Sequence, residues 1–174
     1  MSRPLAALLT AAVALATLSA GACGGTTDTV PAEAVLVIDR ELPDGGVIFL
    51  PAAFSGTEQS EAFQILNQGR ATLTISGVSL KLADGGAPGA SFPFSQPVLA
   101  VDAGAISDPL PVKVGGIGSL KAGELPGAFL QFTYSPKAPG RTQALLVIDS
   151  DAPARPRVTA TISACAAQAD GGGC

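Results

Sequence analysis

Residues 128–164 read AFLQFTYSPKAPGRTQALLVIDSDAPARPRVTATISA, three apolar runs parted by two turn clusters. The clusters, Ser135-Pro136-Lys137-Ala138-Pro139-Gly140 and Asp149-Ser150-Asp151-Ala152-Pro153, consist of residues that preset or tolerate turn dihedrals and so end strands. In the first run Leu130, Phe132 and Tyr134 share one face while Gln131 and Thr133 take the other, the period of two of a half-buried strand. The third run repeats this rule, with Val158, Ala160 and Ile162 alternating against Arg157, Thr159, Thr161 and Ser163. The middle run, residues 144–148, is apolar throughout, which predicts a strand covered on both faces. Consecutive short strands joined by tight turns predict the closing half of an antiparallel β-sandwich.

Upstream the same grammar continues. Phe63 and Ile65 alternate toward Asn67-Gln68-Gly69, a tight-turn signal. Beyond it Leu73 and Ile75 point inward, and the phase then shifts to Val78 and Leu80 across Gly77; a glycine at a phase break predicts a β-bulge. Residues 35–38 read as the first strand, and Pro43-Asp44-Gly45-Gly46 as a turn before an apolar run at 47–50. Asp84-Gly85-Gly86-Ala87-Pro88-Gly89 is a loop, and Phe92 and Phe94 flank Pro93 in an edge segment. Residues 95–127 alternate short apolar pieces (98–101 and 110–114) with Gly and Pro, which predicts one or two irregular strands and the longest loops. Such loops are either a recognition surface or neutral decoration. The phenylalanines fall at strand positions and are expected in the core. With 21 Gly and 14 Pro beside a hydrophobic content of 47%, the chain reads as many turns around a real core rather than as disorder.

In order along the chain, Phe63, Ile65, Asn67 and Gly69 with Leu73 and Ile75, then Leu130, Phe132, Tyr134 and Pro136, then Pro139-Gly140, then Ser150-Asp151 and Pro153, resemble the bacterial choice-of-anchor D domains and the related Hydin-type (ASH) immunoglobulin-like domains. Tyr134 stands where that family usually has Phe, and Phe49 and Gly56 are matched to its opening. The resemblance covers residues 48–164. It implies an immunoglobulin-like sandwich of about seven strands, found as a non-catalytic module in surface and scaffold proteins, and supplies no catalytic residues.

The N-terminus carries Arg3, an apolar stretch at residues 5–18, and small residues ahead of Cys23. Fourteen residues fall short of the about 20 that span a bilayer core, so residues 1–22 read as an export signal. Leu18-Ser19-Ala20-Gly21-Ala22-Cys23 resembles the lipobox of bacterial lipoproteins, which implies cleavage before Cys23 and its lipidation. An ordinary secretory signal, with Cys23 as a further disulfide candidate, is the alternative. Residues 23–34 are then the lipidated Cys and a small, polar tether, 35–164 the sandwich, and 165–174 a Gly-rich tail. Gly24 is not the Asp that retains lipoproteins in the inner membrane, which points to the outer membrane. Removal of Arg3 takes Lys+Arg from 10 to 9 against 14 acids and the net charge from −4 to −5. An acidic domain with scattered basic residues predicts no nucleic-acid partner and no polybasic membrane binding, so the lipid is the expected membrane attachment.

Chemistry is excluded as much as offered. The chain has no His, so a Ser-His-Asp or Cys-His mechanism has no base and His-containing zinc sites are ruled out. A Ser-Lys pair could draw on Lys81, Lys113, Lys121 or Lys137, but none lies in an S-x-x-K context. Gly115-Gly116-Ile117-Gly118-Ser119 lacks the lysine of a phosphate-binding loop. Asp149-Ser150-Asp151 could offer oxygens to Ca²⁺, yet the same residues serve an Asx-type turn. With no Trp and one Tyr there is little with which to stack a sugar. No metal and no cofactor are expected, and no binding residue is assigned. If Cys23 is lipidated, Cys165 and Cys174 remain of the three cysteines, and in an oxidising compartment they are expected to bond, a free thiol or a bond to a partner being the competing readings. The reading is a cell-envelope lipoprotein with a non-enzymatic structural or protein-interaction domain. Its alternatives are an envelope hydrolase or ligand-binding subunit with a Ser-Lys or carboxylate site, and a strand-exchange module of chaperone or pilin type.

Overall fold

A computed structural model describes residues 29–39, 46–100 and 109–168. The expected signal, Cys23, most of the tether, the turn at Pro43 and the rest of the tail beyond residue 168, with Cys174, lie outside them. Ten strands follow one another among the described residues: β1 (Leu36–Ile38), β2 (Val47–Phe49), β3 (Ala53–Phe54), β4 (Gln59–Asn67), β5 (Leu73–Leu82), β6 (Val98–Ala100), β7 (Val112–Val114), β8 (Ala128–Tyr134), β9 (Gly140–Ser150) and β10 (Arg157–Ala167). They form two sheets, one in the order β1-β4-β8-β6 and the other β2-β10-β9-β5-β7, with β3 also pairing β10. The fold is the expected all-β sandwich. Its strand count exceeds seven because the opening of the chain is broken into pieces shared between the sheets: β1 pairs β4, whereas β2 and β3 pair β10. These last two pairings are parallel, so the second sheet is mixed, while the first is antiparallel throughout as the turn spacing predicted.

The core lies between the sheets, and period two decides who enters it. From β8 come Leu130, Phe132 and Tyr134, from β4 Phe63 and Ile65, from β10 Val158, Ala160 and Ile162, and from β5 Leu73, Ile75 and Leu80. The phase break at Gly77 is a register shift against β9 between Ile75 and Gly77, as predicted, and it is what lets Leu80 return to the core. The run at 144–148 is only partly as expected. Ala144, Leu146 and Ile148 face the core. On the other face Val147 is buried but Leu145 is only half-buried, beside cross-strand partners Thr159 and Thr161 of β10 and Ser79 and Lys81 of β5. Three phenylalanines also depart from expectation: Phe49 and Phe54 are 67% and 57% exposed, because Ile48 and Ala53 take the inward positions of β2 and β3, and Phe129 is half-buried on the outer face of β8.

Phe92 and Phe94 close one side of the core. Phe94 bridges Tyr134 of β8, and its ring lies 4.9 Å from that of Tyr134 and 6.1 Å from that of Phe132. Tyr134 is fully buried, and its hydroxyl has no hydrogen-bond partner among the described residues. Burial pushes the phenol above its ordinary range; the Thr142 side chain pulls weakly the other way without completing a bond of sound geometry. An unpaired buried hydroxyl costs free energy that a ring without one does not. Tyr134→Phe is therefore expected to raise stability by about 1 kcal/mol, read as a higher denaturant midpoint at unchanged slope. A lower midpoint would mean that the hydroxyl is bonded in solution.

The sandwich has a long axis with two distinct ends. At one end lie the start of β1, the turn after β4, the loop after β7 and the β9–β10 turn; at the other lie Phe54, Tyr134, Gly140 and Ala167. Residues 31–34, assigned to the tether from sequence, dock onto the first end: the Pro31 carbonyl accepts the Arg70 N–H at 2.9 Å and Ala34 is buried. At the other end β10 continues through Cys165 to Ala167, past the residue expected to close the sandwich.

Candidate functional site

The cysteine positions come first. Cys165 sits near the end of β10, half-buried, paired with Arg141 of β9 and on the face turned away from the core. It is held in a disulfide whose other half lies outside the described residues. Cys23 and Cys174 are both outside them, so the acylation site and the expected Cys165–Cys174 pairing have no geometry to report.

The acidic turn is occupied by its own fold. Asp149 accepts the Arg157 Nε–H at 2.6 Å, Asp151 accepts the Thr74 N–H at 2.7 Å, and the Ser150 hydroxyl accepts the Ala152 N–H at 3.3 Å. Both partners of the Asp149–Arg157 pair are more than a third exposed, so it adds little stability. No group of three or more His, Cys, Asp or Glu able to hold a metal occurs among the described residues. Of the four lysines, Lys121 meets a hydroxyl, donating from Nζ to Thr72 Oγ1 at 3.4 Å. Thr72 in turn donates to Glu124 Oε1 at 2.5 Å, and the Lys121 N–H donates to Oε2 at 3.0 Å. The Thr72 hydroxyl, then the Lys121 N–H, hold the Glu124 carboxyl below its ordinary range. A carboxylate made less basic by donors already in place is a weak base for activating the hydroxyl that binds it. What the arrangement does is clasp the loop after β7 onto the turn after β4.

That junction turns on Asn67. Following Phe63 and Ile65 in phase, Asn67 points inward and is 6% exposed. Its Oδ1 accepts the N–H groups of Val35 at 3.1 Å and Gly69 at 3.0 Å; its Nδ2 donates to the carbonyls of Ala71 at 2.7 Å and Val114 at 3.2 Å. All four of the amide's hydrogen-bonding capacities are filled, and the last one ties β4 to β7 in the opposite sheet. The backbones converge so closely that a Cβ on Gly69 would stand 1.7 Å from the Glu33 carbonyl oxygen, and one on Gly116 2.2 Å from that of Arg70. Sequence reasoning saw a turn in Asn67 and missed the link; a polar residue at an inward phase position was the available signal.

Two surface features remain. Shallow grooves of about 320 Å³, beside Val35, Leu36, Ala152 and Arg155, and about 370 Å³, beside Pro109, Pro111, Lys113 and Leu125, bring no nucleophile–base pair together. Large apolar side chains are exposed on β2 and β3 (Val47, Phe49 and Phe54), in the loop after β7 (Ile117 and Leu120), and singly at Leu82, Val98 and Leu110.

No family model and no curated protein matches the chain. Among solved structures it is similar to a protein of unknown function from Porphyromonas gingivalis W83, with a TM-score of 0.50 and 12% identity, over 82% of this chain and 51% of that one. It also superposes on the ASH / PapD-like domain 7 of human CEP192, with a TM-score of 0.45 and 11% identity over 97% of this chain and 99% of that one. A third likeness is to the secreted serine protease VesC from Vibrio cholerae, with a TM-score of 0.45 and 11% identity over 78% of this chain and 23% of that one. The chain thus spans about half the length of the Porphyromonas protein, and at this identity the likeness speaks to fold alone. The chain is an all-β sandwich of two sheets.

Proposed function

We propose that this chain is a cell-envelope lipoprotein, anchored through Cys23 in the outer membrane, whose immunoglobulin-like domain is a non-enzymatic structural or protein-interaction module of the choice-of-anchor D type. One observation carries the non-enzymatic reading: the acidic side chains that the sequence offered for chemistry are committed to the fold, Asp149 to Arg157 and Asp151 to Thr74, and the carboxylate that the structure places beside Thr72 and Lys121, Glu124, is likewise held by hydrogen bonds. The lipobox-like Leu18–Cys23 segment supports the anchor. With Cys23 acylated, Cys174 is the partner left for the disulfide of Cys165. For interaction the surface on offer is the β2 edge: β2 pairs only β10 among the described strands and exposes Val47 and Phe49, an arrangement that favours capture of an extended segment as the second reading.

Cys23→Ala tests the anchor. Acylation places two or three hydrocarbon chains in the bilayer at about 0.8 kcal/mol per buried CH₂, enough for stable attachment. The variant is expected to move from the detergent-extracted membrane fraction to a soluble form or an uncleaved precursor, and intact mass should show the lipid on the wild-type chain. An unmodified Cys23 thiol in the mature protein would overturn the anchor. A photo-crosslinker placed at Phe49 in intact cells is expected to capture a partner; acyl-serine probes that label the pure domain would instead favour the hydrolase.

A further inference from the structure

We infer that the loop after β7, residues 115–124, is a membrane-contacting tip that seats the domain on the bilayer surface beside its lipid anchor. The inference rests on the proposed acylation of Cys23 and adds the surface of the domain that meets the lipid.

Position is the first argument. The N-terminal segment reaches the sandwich at Pro31, whose carbonyl accepts the Arg70 N–H at 2.9 Å; the neighbouring Gly69 carbonyl accepts the Ile117 N–H at 2.8 Å, and the Ser119 hydroxyl donates to the Arg70 carbonyl at 2.6 Å. The point where the tether enters and the loop are therefore in backbone contact through a single turn. Residues 24–30 are all that separate Cys23 from Pro31. A flexible segment of that length spans about 15 Å, and about 28 Å even when fully extended. The end of the sandwich that carries the loop is thus the end held against the bilayer.

Chemistry is the second. Ile117 and Leu120 are 51% and 57% exposed, although the loop's backbone is fixed by these hydrogen bonds and by the close approach of Gly116 to Arg70. Arg70, whose carbonyl accepts the Ser119 hydroxyl, and Lys121, next to Leu120, are both exposed, while Glu124, the acid within the loop, is turned onto Thr72 and the Lys121 N–H. Apolar side chains on a fixed loop with cations beside them match an interface of acyl chains and anionic headgroups. The exposed aromatics lie elsewhere: Phe54 sits opposite Ala167 at the far end of the sandwich, and Phe49 opposite Ser163, along the β2 edge.

The chain contains no Trp, so a single introduced one reports its own surroundings. Acylated full-length Ile117→Trp, Leu120→Trp and Phe54→Trp proteins are reconstituted into vesicles of phosphatidylethanolamine and phosphatidylglycerol carrying brominated acyl chains, and flotation is scored on the same samples. All three are expected to float, with emission at positions 117 and 120 reduced about twofold or more by bromine and emission at 54 unchanged. Proteins that float with 117 and 120 quenched no more than 54 overturn the loop contact and leave the anchor standing. Failure to float overturns the anchor, and the loop contact with it.

Discussion

Phe132→Ala is expected to lower the free energy of unfolding by about 3–5 kcal/mol, whereas Thr133→Ala, one residue on, should change it by no more than about 0.5 kcal/mol. Phe132 is 3% exposed and its ring lies 5.6 Å from that of Phe63 and 6.1 Å from that of Phe94, so truncation opens a cavity beside both of these rings. Thr133 points away from the core, and the bonds around it run through its backbone, its N–H donating to the Ser95 hydroxyl and its carbonyl accepting the Ser95 N–H. Those survive the change to Ala. Paired denaturant titrations decide the matter, and equal losses at the two positions would show that the register of β8 is wrong. Because a domain of this size is stable by about 5–15 kcal/mol, the Phe132 variant should be near the limit of folding at elevated temperature.

Asn67→Ala should cost a comparable amount, about 3–4 kcal/mol, by a different route. Little apolar surface is lost. What is left behind is the N–H groups of Val35 and Gly69 and the carbonyls of Ala71 and Val114, all deprived of their partner. Hydration of this rim of the sandwich limits the loss to less than the sum of four buried orphans. Asn67→Asp discriminates the mechanism. It keeps the oxygen that receives the two N–H groups but turns a second oxygen toward two carbonyls, so at neutral pH it should be at least as damaging as Ala and should recover on acidification, when the carboxyl regains a proton to donate. Denaturation at two pH values reads this directly; an Asp variant as stable as wild type would show that the link to Val114 is not made in solution.

Much of the architecture was legible because strands with alternating polarity carry their own orientation. Residues 130–134 and 157–163 state which side faces the core, and a glycine at a break in that alternation marked the bulge at Gly77 before any partner strand was known. The short apolar pieces at 98–101 and 110–114 were legible as strands. The same signal fails where it has nothing to contrast. In Val47-Ile48-Phe49 three apolar residues run together, so the sequence offers no phase, and only the seating of Ile48 opposite Ile162 turns Phe49 to the surface. Of the candidate site, the sequence supplied the cysteines and the acidic turn. It did not supply the clasp of Thr72, Glu124 and Lys121, whose members lie some fifty positions apart.

By itself, then, the sequence determined that this chain is built of strands, which faces of the well-patterned ones are apolar, where they turn, and that its chemistry excludes histidine-based catalysis. Tertiary structure alone decided which sheet each strand joins. β6 and β7, read alike as short apolar pieces, go to opposite sheets, and β2 and β3 run parallel to β10. It likewise decided that Asn67, a turn residue by local signal, ties the two sheets together. The reason is physical: alternation is set by backbone geometry within a strand, whereas the choice of neighbour is set by which distant edge offers unpaired N–H and C=O groups at a matching register, and no window along the chain contains both.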